Sequence, residues 1–402
     1  MTRRRIGTAV AAAGLSALLC AATAAPARAD TPASWEAGAL GLSSAQRASQ
    51  GDGVKVAVLD SGVEEDHPAL AGKVTTGPDF LKDGLHSGDP RWGGHGTAMA
   101  SDVLKVAPEA DILSVRVIDD KKEHDVGDWK TGPSPVAQGI TYAVDHGADV
   151  ISMSLGGDTF GSSFDEEETK ALAHAAYKGV TVVASAGNDG DVFNESSYPA
   201  GYPGVIAVAA VAQGGSRAGF STVRTYNSVA APGVGIVSAK NTGGYAPVNG
   251  TSPAAALTSG VVALMLGKDH ELKPSQVRAI LTDTAHHPPG GYDPRVGHGT
   301  IDAAAAVRAA GDPPADGAAA TAYKDKKFLT PPNGVKPTQH PPMETAPLAI
   351  GSSVAGVGLL MVIGAVVISR TGRRRAAAAN PGGPGAPAGP AGPAGPGGFP
   401  GR

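Results

Sequence analysis

Four residues of this chain combine types that suit acyl transfer: Asp60, His95, Asn188 and Ser252. Such chemistry needs a hydroxyl that attacks, an imidazole that takes its proton, a carboxylate that orients the imidazole, and a donor for the developing oxyanion. Ser252 lies in "NGTSPAAALTSG", which turns from polar to small and apolar where a helix would begin. Pro253 suits the first helical position, which has no use for its missing N–H, and this spacing makes Ser252 the expected N-cap. Leu257, Val261, Val262, Leu264 and Met265 continue the helix, so Ser252 stands at a positive helix end.

Each of these residues also has an ordinary reading. Ser252 alone is a helix cap, Asp60 and Asn188 are turn residues, and His95 is a structural histidine. His-Gly-Thr occurs twice, at 95–97 and 298–300, so the tripeptide does not choose the base. Chain order does: Asp60, His95, Ser252 follows a known triad order, whereas a triad using His298 follows none. His298, in "GHGTIDAAAAV", reads as part of a closing turn and helix. Pro253 has no N–H to give an oxyanion, which leaves the Ser252 N–H and the Asn188 amide as the donor pair.

The elements that must hold these groups alternate. Strands are expected at Val54–Leu59, Ile112–Ile118, Val150–Leu155, Val180–Ser185 and Val205–Val211, with helices near 95–105, 134–146 and 165–178. That alternation predicts an α/β fold of three layers, a mainly parallel sheet with helices on both faces. Working residues then gather at the carboxyl ends of the strands, where Asp60 and Asn188 fall.

Outside this region the composition changes. Residues 1–29 run from Arg3-Arg4-Arg5 through an apolar stretch to Ala27-Arg28-Ala29, the order of a secretory signal peptide, and Cys20, the only cysteine, lies within it. Residues 30–50 form a short extension, 51–310 the expected catalytic domain, and 311–346 a proline-rich linker. Residues 347–369 carry no charge and are long enough to cross about 30 Å of hydrocarbon. Arginines open the segment 370–402, which continues in Gly, Pro and Ala; they predict a cytoplasmic tail and an extracellular catalytic domain, with lipid contact through one transmembrane helix. Nine of the 33 basic residues and none of the 37 acidic ones lie in 1–29 or 370–402, leaving 24 against 37 outside, a net of −13. Nucleic acid is therefore not an expected partner.

The ordered set "VAVLDSGV", "GHGTAMAS", "SMSLGG", "ASAGNDG", "SYPAGYPGVIAVAAV", "APGVGIVSA" and "NGTSPAAALTSG" resembles the subtilase family of serine proteases over about residues 51–309. By position, the resemblance implies a subtilisin-like fold, Asp60 as orienting acid, His95 as general base, Ser252 as nucleophile and Asn188 as oxyanion donor. It further implies that Ser154, Leu155, Gly156 and Gly157 form a strand edge that pairs with a polypeptide substrate. The order of leader, domain, linker, span and basic tail is similar to mycosins, the membrane-anchored subtilases of type VII secretion systems, which implies that membrane complex as a partner. A general cell-surface protease and a largely structural subunit are the rival readings.

Three features depart from the wider family. The extension is too short for a folded inhibitory propeptide, the path from "HGTAMAS" to the next strand lacks a calcium-binding insertion, and Pro253 replaces the more usual Met or Phe after the serine. The acidic runs "DDKKEHDVGD" (119–128) and "DEEE" (165–168) lack calcium-loop spacing; they read as a solvated rim and as complements to a helix N-terminus. No metal or cofactor is expected. The order argument predicts that His95→Ala lowers kcat by several orders of magnitude while His298→Ala leaves it within about tenfold, as measured by steady-state peptide hydrolysis.

Overall fold

Alternate residues of one strand sort the core into two halves. In β1 (Lys55–Asp60), Val56 and Val58 join one buried cluster and Ala57 and Leu59 another, as expected of a strand with a period of two and both faces covered. By the same parity Asp60 belongs with Val56 and Val58. The computed structural model describes residues 35–119, 133–156, 165–316 and 345–378. The chain divides into two compact units at Pro341.

In the first unit, β1 is joined by β2 (Val74–Asp79), β3 (Asp111–Arg116), β4 (Val150–Met153), β5 (Thr181–Ser185), β6 (Ile206–Val211) and β7 (Asn227–Pro232) in one sheet. The order is β2-β3-β1-β4-β5-β6-β7 and every pair is parallel. All five expected strands are present, within two residues at most ends. β2 and β7 escaped the sequence reading for opposite reasons. The first is a polar, half-exposed edge strand; the second is buried but starts at Asn227 and stops at Pro232. A hairpin of β8 (Ile236–Ala239) and β9 (Tyr245–Val248) stands apart from the sheet.

Helices cover both faces. The Leu59 side carries α4 (Pro135–Asp145) and α5 (Glu166–Lys178). Asp165 caps α5, its Oδ1 accepting from the Glu167 and Glu168 N–H groups at 2.7 and 2.9 Å, so the acidic run does complement a helix N-terminus. The Val58 side carries α3 (Gly94–Val106) and α6 (Thr251–Lys268). All sixteen residues from Thr251 to Leu266 are buried, which accounts for the absence of a polar stripe in that sequence. Gly260 lets the two helices meet: a Cβ there would lie 2.6 Å from the Val106 Cβ and 2.8 Å from the Val103 carbonyl.

Residues 35–48 are built into this face. They form α1 (Trp35–Ala39) and α2 (Leu42–Ala48), and Leu40, Leu42 and Ala45 join the same core as α3 and α6. Gln46 donates to the Lys105 and Val106 carbonyls at 2.9 Å each, closing the carboxyl end of α3. Glu36, fully buried, accepts from Lys105 at 2.8 Å, and Lys105 also reaches Asp102 at 3.2 Å. Burial pushes the Asp102 carboxyl up to about 6, against the pull of Lys105. Helices α7 (Pro274–Asp283) and α8 (Ala303–Ala310) complete the unit.

In the second unit, α9 (Thr345–Ala378) contains Gly351–Thr371, a stretch long and apolar enough to cross a membrane and wholly unburied. Because Leu40 is 0% exposed in the shared core, Leu40→Ala should cost about 2–5 kcal/mol. Urea unfolding measures it; a detachable extension would show almost no change.

Candidate active site

Asp60 ends β1 with its side chain 0% exposed. Both carboxylate oxygens lie 2.9 Å from His95 Nδ1, and Oδ1 also accepts the Ser61 N–H at 2.7 Å. A carboxylate can only accept from the ring, so Nδ1 carries the proton and Nε2 is left as the basic nitrogen. The imidazole is 27% exposed, so one nitrogen faces a buried anion while the ring keeps access to solvent.

The turn after β1 is zipped to the start of α3. Gly93 N–H donates to the Ser61 carbonyl at 3.0 Å, Gly96 N–H to Ser61 Oγ at 3.1 Å, and Glu64 N–H to Thr97 Oγ1 at 2.8 Å. Gly96 permits the approach, since a Cβ there would fall 2.1 Å from the Gly62 carbonyl oxygen. Trp92 seals the junction from below: its Nε1 donates to the Val63 carbonyl at 3.1 Å, and its ring occupies the place of a Gly62 side chain.

Arg116 supports that indole. It ends β3 in register with Asp60, and its guanidinium lies 5.4 Å from the Trp92 ring centroid, a cation–π distance. Only 1% of the side chain is exposed, and Asp79 and Asp83 hold it at 2.9 and 2.7 Å. Desolvation works against its charge, but these carboxylates win and hold the guanidinium pKa above its usual value. The sequence reading missed Arg116; an arginine at the end of an apolar strand was the available signal.

Ser252 differs from its expected place by two positions in the cap. The helix begins at Thr251, Gly250 occupies the cap position without a side-chain bond, and Ser252 is the second helical residue. The cap is supplied by another segment: Asn188 Oδ1 accepts from Thr251 N–H at 2.8 Å and Thr251 Oγ1 at 3.0 Å. Ser252 is thereby released from capping its own helix, and its Oγ donates to the Ser154 carbonyl at 3.2 Å. Ser154 Oγ donates in return to the Ser252 carbonyl at 2.9 Å, which locks the end of β4 to the start of α6. Asn188 is exposed, yet Thr251 fixes its Oδ1 and leaves the NH2 half to face another acceptor. Thr251 was also missed; in "NGTS" it reads only as turn chemistry.

The structure thus brings Asp60 and His95 into contact and links Ser252 to Ser154 and, through Thr251, to Asn188. Leu155 is buried and Gly156 exposed beyond β4; Gly157 and most of the 119–128 run lie outside the described residues. His298 is elsewhere. Its N–H donates to the Ser228 carbonyl on β7 and its ring meets Tyr292 edge-on at 5.3 Å. Four strand steps separate β7 from β1, roughly 19 Å at the usual spacing. Burial and His287 lower its pKa. Among the described residues no group of three or more His, Cys, Asp or Glu side chains is arranged to hold a metal.

Residues 51–300 match the subtilase family model. Thermitase from Thermoactinomyces vulgaris is 40% identical over 247 residues, which are 59% of this chain and 82% of thermitase. The structure of the MycP3 protease from the type VII (ESX-3) secretion system superposes with a TM-score of 0.59 at 31% identity, covering 70% of this chain and 90% of that one. Fervidolysin from Fervidobacterium pennivorans, a keratinolytic enzyme related to subtilisin, superposes with a TM-score of 0.59 at 34% identity; 68% of this chain covers 45% of the longer one. With a parallel sheet bearing an aspartate at the end of its β1 strand, a histidine helix docked against it and a serine helix buried across the same face, the chain belongs to the subtilase family and is a serine endopeptidase.

Proposed function

We propose that Ser252 attacks a peptide carbonyl, with His95 as general base and then general acid, Asp60 as its orienting anion, and Asn188 with the Ser252 N–H as oxyanion donors. The observation that carries this reading is the buried Asp60 carboxylate, with both oxygens 2.9 Å from His95 Nδ1. That contact stabilises the imidazolium formed when Nε2 takes the Ser252 proton. The proton then passes to the leaving amine, and water repeats the cycle on the acyl-enzyme. The Ser252 N–H lies in the first helical turn, where no intrahelical acceptor exists, and so is available to the oxyanion. The strand edge from Ser154 through Leu155 and Gly156 to Gly157 is the proposed site for the substrate backbone, with polypeptide as substrate.

The same proposal gives residues 1–29 the role of a secretory leader, 311–346 that of a linker, and α9 that of a membrane anchor with a cytoplasmic tail. The unburied apolar stretch Gly351–Thr371, followed by Arg373-Arg374-Arg375, supports the anchor. Likeness to the MycP3 protease supports a mycosin-like place in a type VII secretion complex. Protease added to intact cells should then remove the catalytic domain and leave the tail protected; a protected domain would refute the orientation.

Activity is tested on the full-length protein in detergent. A fluorophosphonate should modify Ser252, and labelling at another serine would overturn the assignment. Asn188→Ala should lower kcat by about 10²–10³ with KM little changed, the scale known for an oxyanion-donating asparagine in a subtilisin. Because Asn188 also caps α6, kcat is to be taken per labelled active site, which separates lost chemistry from lost folding.

A further inference from the structure

The β8–β9 hairpin carries the chain to Ser252, from which only Asn249, Gly250 and Thr251 separate it. It lies along the histidine helix. Ala239 N–H donates to Ser101 Oγ at 2.9 Å, Ser238 Oγ to Asp102 Oδ2 at 2.8 Å, and Lys105 Nζ to the Val237 carbonyl at 2.7 Å, which pins three successive residues of β8 to α3. β9 follows β8 in antiparallel register, from Ile236 opposite Val248 to Ala239 opposite Tyr245. These bonds make the hairpin and the body of α3 one block.

The segments that leave Asp60 and enter α3 are tied to the hairpin at its tip instead. His67, buried in the loop after the β1 turn, accepts the Ala69 N–H at Nδ1. Its Nε2 therefore carries the proton and donates to the Gly244 carbonyl at 3.1 Å. On the other side of the tip the Asn241 NH2 group donates to the Trp92 carbonyl at 2.7 Å and to the Pro90 carbonyl at 3.1 Å. Trp92 precedes Gly93, the cap residue of α3, and the helical ladder starts at the Gly93 carbonyl, which accepts from Thr97. The Trp92 carbonyl thus lies one residue outside the ladder, and Asn241 supplies its donor.

We propose that Asn241 is a positioning residue for the proton transfer, holding the entry of α3 against the hairpin so that His95 Nε2 stays within reach of Ser252. The inference rests on the catalytic reading of His95 and Ser252. Asp60 grips the imidazole at Nδ1, which fixes the tautomer and leaves the place of Nε2 to the first turn of α3. That turn follows Trp92 directly, with His95 three residues on. Arg116 backs the Trp92 indole, and Asn241 holds the Trp92 carbonyl to the strand pair that ends near Ser252. One side chain thereby spans the two arms that deliver base and nucleophile. An amide suits the task because both its N–H groups meet carbonyls; an aspartate of the same shape would set oxygen against oxygen.

The test uses full-length protein in detergent, with kcat taken per labelled active site so that unfolded molecules do not count. Asn241→Ala should lower kcat about tenfold and Asn241→Asp further, with KM within about twofold, since a shift of about 1 Å between reacting groups can cost about 10²-fold. Asn241→Gln keeps both donors on a longer stem and should recover part of the loss. The rate at which a fluorophosphonate modifies Ser252 should fall by the same factor, because that reaction also needs His95 to take the Ser252 proton and involves no peptide. The acid limb of the kcat/KM profile should stay in place, because Asp60 keeps its hold on Nδ1. If Asn241→Asp does not fold, Asn241→Ala and Asn241→Gln carry the same comparison. Unchanged kcat and labelling in the variants would overturn this proposal alone. So would a raised KM with normal labelling, which makes Asn241 a substrate contact, or a shifted acid limb, which puts the effect on Asp60. Failure of wild-type Ser252 to react with the fluorophosphonate would overturn the catalytic reading together with it.

Discussion

The close passage of α3 over α6 is the contact on which the site depends. The two helices share one face of the sheet, and Gly260 admits Val106 to a distance at which any side chain would collide. Each helix begins at the carboxyl edge of the sheet, one with His95 just inside its first turn and the other with Ser252. Spreading the helices would separate the histidine from the serine even if neither residue changed. Because α6 is buried for sixteen consecutive residues, its path is gripped from every side rather than by one apolar stripe. A helix held in this way makes a stiff mount for Ser252.

The residues before β1 take part in that grip. Gln46 closes the carboxyl end of α3, Glu36 meets Lys105 on the same helix, and Leu40 and Leu42 lie in the core that α3 and α6 share. Read in sequence, residues 30–50 are a short extension ahead of a domain. In space, α1 and α2 belong to the layer that carries the histidine and the serine. Their role is reinforcement from the end of α3 remote from the site.

Charge is partitioned across the carboxyl edge. Asp60 keeps its buried carboxylate for one imidazole, while Arg116, the next residue across the sheet, is matched by Asp79 and Asp83. An unmatched guanidinium beside Asp60 would compete for the anion and weaken its hold on an imidazolium. Asp79 and Asp83 remove that competition, and the neutralised arginine is free to support Trp92 under the turn that leads to His95. Asn188 holds the start of α6 from another segment, its side-chain carbonyl oxygen accepting from both the Thr251 N–H and the Thr251 hydroxyl.

What the sequence determined by itself was local and periodic. Apolar runs located five strands, alternation of strand and helix predicted the layered parallel sheet, and the order of Asp60, His95 and Ser252 selected one histidine of two. The strands and the layered sheet survive because period and turn chemistry need no knowledge of distant neighbours. Tertiary structure decided what depends on groups far apart in the chain. It moved the cap of α6 from Ser252 to Asn188, 63 residues away, since a cap is any acceptor that reaches the first free N–H. It placed His298 against β7 rather than near Asp60, which strand order alone could establish. It also set Arg116 under Trp92 and Asn241 against the Trp92 carbonyl. None of those four positions carries a periodic signal, because each is specified by the space that other segments leave.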